Sequence, residues 1–420
     1  MDEPPAATVP LVTPPALVSG MTLRALILYF LRLGTWGFGG PVALVGYMHR
    51  DLVDERKWIS ESEYKLALAL AQVMPGPLAA QTAMAIGYFQ RGIAGATLVG
   101  LAFILPSFLM VLALSIAYVA YGGLWWMQAL FYGIGASVIA IIALGAYKLA
   151  RKTLKRDTLL WSIFAVLFVV TAAVQAELAV LFLAAALLVL LVRAPPKWVE
   201  RLFRPAKTLA VNPLVPFLLA AGVASWFQGQ HPETSEWTIF LFFAKAGAFV
   251  FGSGLAIVPF LHTGVVDQYH WLTEQQFLDA VAVAIITPGP VVITVAFIGY
   301  LVAGPIGATV AAAGMFLPVY LFTIVPAPWF KRHRDNKQML AFVDGATAAA
   351  TGAIAGAVIV LGLGDWHHFG GGAIRDWPTL GIGLLSFVVL AKFKLPEPAV
   401  VLAAGAVGLG FFLLRSHGIL

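Results

Sequence analysis

Two apolar stretches of this chain are interrupted by glycine and proline at corresponding places, 213 residues apart. Gly37-Phe38-Gly39-Gly40-Pro41, then Pro75-Gly76-Pro77, recur as Phe251-Gly252-Ser253 and Pro288-Gly289-Pro290. Phe30/Phe243, Gly34/Gly247, Asp54/Asp267, Trp58/Trp271 and Glu61/Glu274 hold the same register. After a one-residue deletion, Tyr88/Tyr300, Gly92/Gly304 and Pro106/Pro318 follow at an offset of 212. In hydrocarbon, a broken helix leaves backbone N–H and C=O groups without partners, which is tolerated only where the break is enclosed by protein or lines a cavity. A duplicated break inside apolar segments therefore predicts a transporter assembled from two repeats, with its site where the helices break.

The rest of the sequence agrees with a membrane setting. Charged residues make up 11% of the chain and apolar ones 60%, against about 25% charged in soluble domains. Apolar runs near the length of a spanning helix recur from end to end, so the expected fold is an all-α polytopic membrane protein with about 13 transmembrane segments. The net charge of +6 resides in short loops between those runs, where it sets orientation and is no nucleic-acid footprint. With no cysteine, disulfide and thiolate chemistry are excluded. Residues 1–20, rich in proline and carrying Asp2 and Glu3, read as a disordered tail and not as a cleaved leader.

Residues 21–193 form the first repeat, 194–235 a basic linker with a weak connecting helix at 213–228, and 236–420 the second repeat. If the N-terminus is cytoplasmic and the connecting helix spans, eighteen basic residues lie inside and six outside, the bias expected of a correctly oriented protein. The two six-helix repeats are then inverted, with discontinuous helices and a periplasmic C-terminus. Re-entrant hairpins at the breaks are the alternative to full crossings.

Several residues have the chemistry of an anion site. Pro41 and Pro77 suit the first turn of new half-helices, whose N-termini present free N–H groups and partial positive charge. Gly37, Gly39, Gly40, Pro75 and Gly76, with Gly252, Ser253, Pro288, Gly289 and Pro290 in the second repeat, would open the backbone around a ligand. Arg32 and Lys245 each precede a glycine break, about 14 Å into their helices, close to half of a hydrocarbon core about 30 Å thick. Cations at that depth are candidates for substrate contact; the bland reading is snorkelling, or pairing with an acid such as Asp344. Gln81, Thr82 and Thr294 follow the Pro-Gly-Pro breaks and either complete a cradle or bond their own helices. Asp54, Asp267, Glu61 and Glu274 read as loop acids, with helix caps at Ser60-x-x-Glu63 and Thr273-x-x-Gln276. The five bases of Lys148–Arg156 read as an orientation signal with lipid contact.

An enzyme is not expected. Gly252-Ser253-Gly254 resembles a nucleophile turn, but Gly40 stands at the corresponding position and no histidine lies at comparable depth to activate a serine. His367 and His368 are loop residues, and no metal or cofactor is implied. No phosphate-binding loop motif points to ATP.

The paired Gly37-Phe-Gly-Gly-Pro41 and Pro75-Gly-Pro77 motifs with Trp58, repeated across a chain of this length, resemble the long-chain, two-domain chromate ion transporter family. The resemblance runs from about residue 22 to 415. It implies a multi-pass protein of the bacterial inner membrane that exports chromate, with sulfate as the related oxyanion, membrane lipid as its surroundings and a homodimer as a possible assembly. A tetrahedral dianion agrees with cations and helix N-termini at the breaks. Leaving an inside-negative cell, a dianion gains about 4.6 kcal/mol per 100 mV. The remaining alternatives are a transporter of sulfate or another anion, or an ion-coupled carrier of a different small solute. Ser253 departs from the first repeat's motif, so the two halves are expected to do unequal work.

Overall fold

The computed structural model describes residues 21–38, 40–121, 124–173, 178–195, 234–249, 254–333, 337–363, 372–393 and 395–416, and all regular structure among them is helical. In the first half the helices are α1 (Leu23–Trp36), α2 (Gly40–His49), α3 (Glu61–Val73), α4 (Leu78–Tyr121), α5 (Trp125–Thr153), α6 (Thr158–Ala173) and α7 (Leu178–Arg193). The second half has α8 (Glu236–Phe249), α9 (Ile257–His262), α10 (Glu274–Ile286), α11 (Thr294–Ile324), α12 (Ala327–His333), α13 (Lys337–Leu363), α14 (Trp377–Phe393) and α15 (Glu397–Ser416). The register found in sequence extends to helix ends: α1 and α8, and α3 and α10, begin and end 213 residues apart. Both α3 and α10 start with a complete capping box, on Ser60/Glu63 and Thr273/Gln276.

Among the described residues, five helical stretches are long and apolar enough to cross a membrane: Leu78–Tyr121, Trp125–Thr153, Val291–Phe330, Lys337–Leu363 and Glu397–Leu414. The first and third are not straight. At Arg91-Gly92 and Ala303-Gly304 the backbone leaves helical geometry, with φ +62 and +61 at the glycines. In a straight helix residues eight apart are separated by about 12 Å. Here a Cβ on Gly87 would lie 2.4 Å from the Gly95 carbonyl oxygen, and one on Gly299 would lie 2.3 Å from that of Gly307. Each chain therefore doubles back, so 78–90 and 93–121 are two arms of a hairpin. At about 1.5 Å per residue the 14-residue α1 and 13-residue α3 reach roughly 20 Å, short of a core about 30 Å thick. The expected connecting helix at 213–228, the His367–His368 loop and the 1–20 tail lie outside the described residues.

The halves are interleaved. α6 and α7 pack on α13 of the second half, while α14 and α15 pack on α5 of the first. Small residues make these approaches possible: a Cβ on Gly133 would stand 2.0 Å from the Ala404 carbonyl oxygen, and one on its repeat partner Gly345 2.5 Å from that of Ala185. This is the small-residue packing by which membrane helices bring backbones together. α5 and α13, the most enclosed of the long helices, contact each other and run antiparallel. Gly135 near the start of α5 faces Ala373 beyond the end of α13, and Ile139 faces Gly362. Outward, residues 93–121 expose Leu98, Leu101, Leu105 and Leu109, an apolar stripe suited to lipid.

The reciprocal glycine contacts are expected to carry stability. Gly133→Val and Gly345→Val should each cost about 1–3 kcal/mol or more, the range for overpacking a close-packed site. Gly381→Ala, where nothing lies within 4 Å of the added carbon, should be neutral. Thermal unfolding of the detergent-solubilised protein checks the contrast.

Candidate functional site

The breaks of both repeats meet. The N–H of Gly289 donates to the carbonyl oxygen of Gly37 at 3.0 Å, so the second Pro-Gly-Pro is bonded to the first glycine break. Ser107 of α4 lies against the same junction, its hydroxyl 2.7 Å from the Pro288 carbonyl oxygen and 3.4 Å from that of Gly34. Gly289 has φ +95, and a Cβ there would stand 1.9 Å from Ser107 Oγ, so only glycine fits. In the first repeat Gly76 has φ +142, and Gln81 closes the loop by donating from Nε2 to the Pro75 carbonyl at 2.6 Å.

A cavity of about 520 Å³ opens onto this junction. Gly40 and Pro41 from α2, Leu78 after the first Pro-Gly-Pro, and Leu255 and Val291 around the second repeat's breaks form part of its wall. Gly40, the first residue of α2, has φ +73, and Pro41 packs close to Gly254. The wall opposite is charged. Lys148, Lys152 and Lys155 descend the last turns of α5 and the bend after it, in a row that begins at Gly145. Lys148 and Lys152, four residues apart, share one helix face, and Lys155 lies beyond the helix end with φ +45. Arg193 joins them but is neutralised, bridging Asp157 on one side and Asp344 on the other, the latter at 2.9 Å. Glu397 at the start of α15 faces Lys148 electrostatically, and its Oε2 lies 3.8 Å from where a Gly40 Cβ would be. Among the described residues no carboxylate is within ion-pair distance of Lys148, Lys152 or Lys155. The arrangement is a positively charged vestibule ending at the opened backbone of two broken helices, suited to a small multivalent anion.

The sequence-derived candidates divide accordingly. Gly37, Gly40, Pro41, Pro75, Gly76, Pro77, Pro288, Gly289 and Pro290 lie at the junction or in the loops that form it. Gly39, Gly252 and Ser253 are outside the described residues. The hydroxyls of Thr82 and Thr294 bond carbonyls of their own helical turns, to Leu78 and Val291. Gln81 is committed to Pro75, although its Oε1 is buried without a partner. Arg32 is exposed on α1 and does not line the cavity. Lys245, exposed on α8, lines a separate cavity of about 320 Å³ with Trp237, Gln268 and Tyr269. Asp344 pairs with Arg193 and not with Arg32.

Sequence reasoning missed two features. The lysines of the cavity wall carry the composition of an orientation signal, and only the four-residue spacing of Lys148 and Lys152 marks a shared face in the sequence. The second is a duplicated clasp: His49 bridges Asp54 at 3.3 Å and Glu61 at 2.7 Å, and His262 bridges Asp267 and Glu274 at the same distances. Each clasp ties the π-helical turn after the broken helix, Arg50–Glu55 or Thr263–Gln268, to the start of the next. Lys65 and His49 hold the Glu61 carboxyl below the ordinary carboxylate range. The 213-residue repeat of His49 as His262 was the available signal.

A duplicated, all-helical membrane fold whose broken helices converge beneath a basic cavity defines the class of this protein: a polytopic, two-repeat membrane protein with a candidate anion site. The sequence profile of the family described as chromate transporter matches residues 24–191 and 237–409, and the chain belongs to the chromate transporter family. It is 57% identical over 401 residues to a chromate transport protein of Cupriavidus metallidurans, covering 94% of this chain and 95% of that one. It is 54% identical to a probable chromate transport protein of Synechococcus elongatus over 93% and 96% of the two chains. A chromate transport protein of Pseudomonas aeruginosa is 32% identical over 96% and 94%. No solved structure matches.

The Arg193 bridge gives a direct test of the cavity wall. Arg193→Gln leaves Asp157 and Asp344 facing each other across the cavity. Because the three side chains are 30–50% exposed, the loss should be about 1–2 kcal/mol, below the 3–5 kcal/mol of a fully buried pair. Restoring neutrality with Asp344→Asn should recover part of it in a double-mutant cycle read by thermal unfolding.

Proposed function

We propose that the protein carries chromate, with sulfate as a related substrate, out of the cytoplasm across the bacterial inner membrane and so confers chromate resistance. The observation that carries this reading is the convergence of both repeats' helix breaks on one cavity lined by Lys148, Lys152 and Lys155. The family membership and the names of the relatives favour chromate among anions. In this reading the lysines gather the dianion from the cytoplasm, and the opened backbone around Gly37–Pro41 and the two Pro-Gly-Pro loops receives it. Potential alone favours exit, by about 4.6 kcal/mol per 100 mV for two charges.

We further propose that the repeats, 21–193 and 236–420, are inverted, and that one rocks against the other around the shared junction. The antiparallel packing of α5 on α13 and the reciprocal exchange of α6–α7 with α14–α15 support this, because an axis relating antiparallel equivalents lies across them. The cytoplasmic side would hold the lysine row and the start of α15, and the C-terminus would be periplasmic.

The test is chromate flux in inside-out membrane vesicles at a fixed potential, with sulfate as competitor. Replacing Lys148, Lys152 and Lys155 together by Gln should reduce flux by about a hundredfold, since two or three charge-assisted contacts are lost. Unchanged flux would overturn the cavity as the site. Arg32→Ala and Lys245→Ala separate the two assignments of charge: flux lost in either returns the principal cation to the sequence-derived position, and flux retained in both leaves it with the lysine row.

A further inference from the structure

A second cavity, of about 480 Å³, lies at the other end of α5. Ala129 in its wall and Lys148 in the first cavity are about 28 Å apart along the helix, close to the thickness of a hydrocarbon core of about 30 Å. One pair of repeat-equivalent positions is shared between the two cavities. Tyr132 lines the second, and Asp344, 212 residues on, lines the first.

The second cavity contains the side chain of Asp279, on the second turn of α10 and 3% exposed. Its two oxygens are held differently. Oδ1 accepts from Gln275 Nε2 at 2.6 Å. The orientation of that amide is fixed, because Gln275 Oε1 accepts from the Arg375 guanidinium, which can only donate. Oδ2 accepts from the Tyr118 hydroxyl at 2.7 Å. A phenol, unlike the amide, can turn its proton away and accept instead. A proton arriving at Oδ2 therefore finds an acceptor already in place, with no movement of the carboxylate.

The surroundings suit a proton and disfavour a metal cation. From α5 the wall presents Phe131 and Tyr132, the latter bonded to Asp376. From α15 it presents Phe411 and Phe412, and Phe297 of α11 packs on Tyr118. Thr273 and Gln276 are the neutral neighbours at the start of α10, and Arg375 is the cation in the wall. A metal would need several oxygen ligands; here both carboxylate oxygens already face donors, beside an arginine. In the other half the corresponding positions are Leu66 and Phe330, both buried, so the acid and the phenol belong to one half alone.

Resting on the transport reading above, we propose that Asp279 is the site at which a proton binds from the side opposite the lysine row, and that proton binding there is coupled to oxyanion movement in the other direction. Asp279 lies nine residues before Pro288 on the helix that ends at the junction, which gives the protonation state a direct mechanical route to the breaks.

The experiment uses the full-length protein reconstituted in vesicles. With the potential clamped at zero, chromate should move toward the acidic side. Asp279→Asn should lose about tenfold of that pH-driven flux, a typical coupling factor, and keep its potential-driven flux; Asp279→Glu should keep both. The passive protonation of chromate is the same for every variant. Infrared difference spectra between alkaline and acidic buffer should show a carboxyl C=O band that Asp279→Glu shifts and Asp279→Asn abolishes. A pH-driven flux undiminished in Asp279→Asn, an unchanged infrared band, or a wild-type flux that follows sodium and ignores pH would each overturn the proposal. Wild-type protein that moves no chromate even under a potential defeats the transport reading instead, and the infrared band still decides whether Asp279 takes up a proton.

Discussion

Everything in this fold depends on satisfying the backbone where helices are broken inside an apolar environment. An unpaired amide there costs several kcal/mol, yet this chain opens its helices at matching places in both halves. The hydrogen bond from Gly289 N–H to the Gly37 carbonyl offsets that cost by letting one repeat's break satisfy the other's. Ser107 and Gln81 act likewise on Pro288 and Pro75. The halves are therefore bound at the point where each is locally weakest. Any rearrangement that parts them must supply substitute partners to the same groups, and a bound oxyanion has the acceptor oxygens to do so for amide N–H groups.

The interleaving of the halves follows from the same requirement. α5 and α13 form the enclosed centre, and each is covered by the last two helices of the opposite half. The contacts are made at Gly133 and Gly345, where backbones approach too closely for any side chain. The exchange makes the molecule a single body, although its sequence consists of two copies.

Much of this was legible because glycine and proline act locally. The capping boxes and the positions of the breaks rest on residues a few positions apart and are readable at sequence level, whereas the doubled-back turns at Gly92 and Gly304 appear there only as a repeated glycine pair. Position along the helix was readable too, from the rise per residue, but orientation was not. Arg32 and Lys245 lie along their helices as counted, yet they occupy exposed faces that do not line the junction cavity. The face a helix buries depends on its partners, and the partners of α5 come from the other half of the chain. For the same reason Lys148, Lys152 and Lys155 looked like a loop signal until α2, α7, α13 and α15 were placed around them. The histidine clasps leave a simpler trace, a repeated pair His49/His262 with acids five and twelve residues on in both halves.

The halves differ where the chemistry differs. The lysine row on α5 has Val360 and Gly364 at the corresponding positions of the second half for Lys148 and Lys152. The acid at Asp279 replaces a leucine, and Tyr118 replaces a phenylalanine. A strictly symmetric pair of repeats would present the same charge to both ends of the junction and would have no preferred direction at zero potential. Here the glycine and proline breaks are kept at matching positions, while three lysines line the cavity at one end of α5 and Asp279 with Arg375 lines the cavity at the other. The divergence of a few side chains makes the two cavities chemically unequal. On the transport reading proposed above, those side chains, and not the shared glycines and prolines, are where direction and coupling would be encoded.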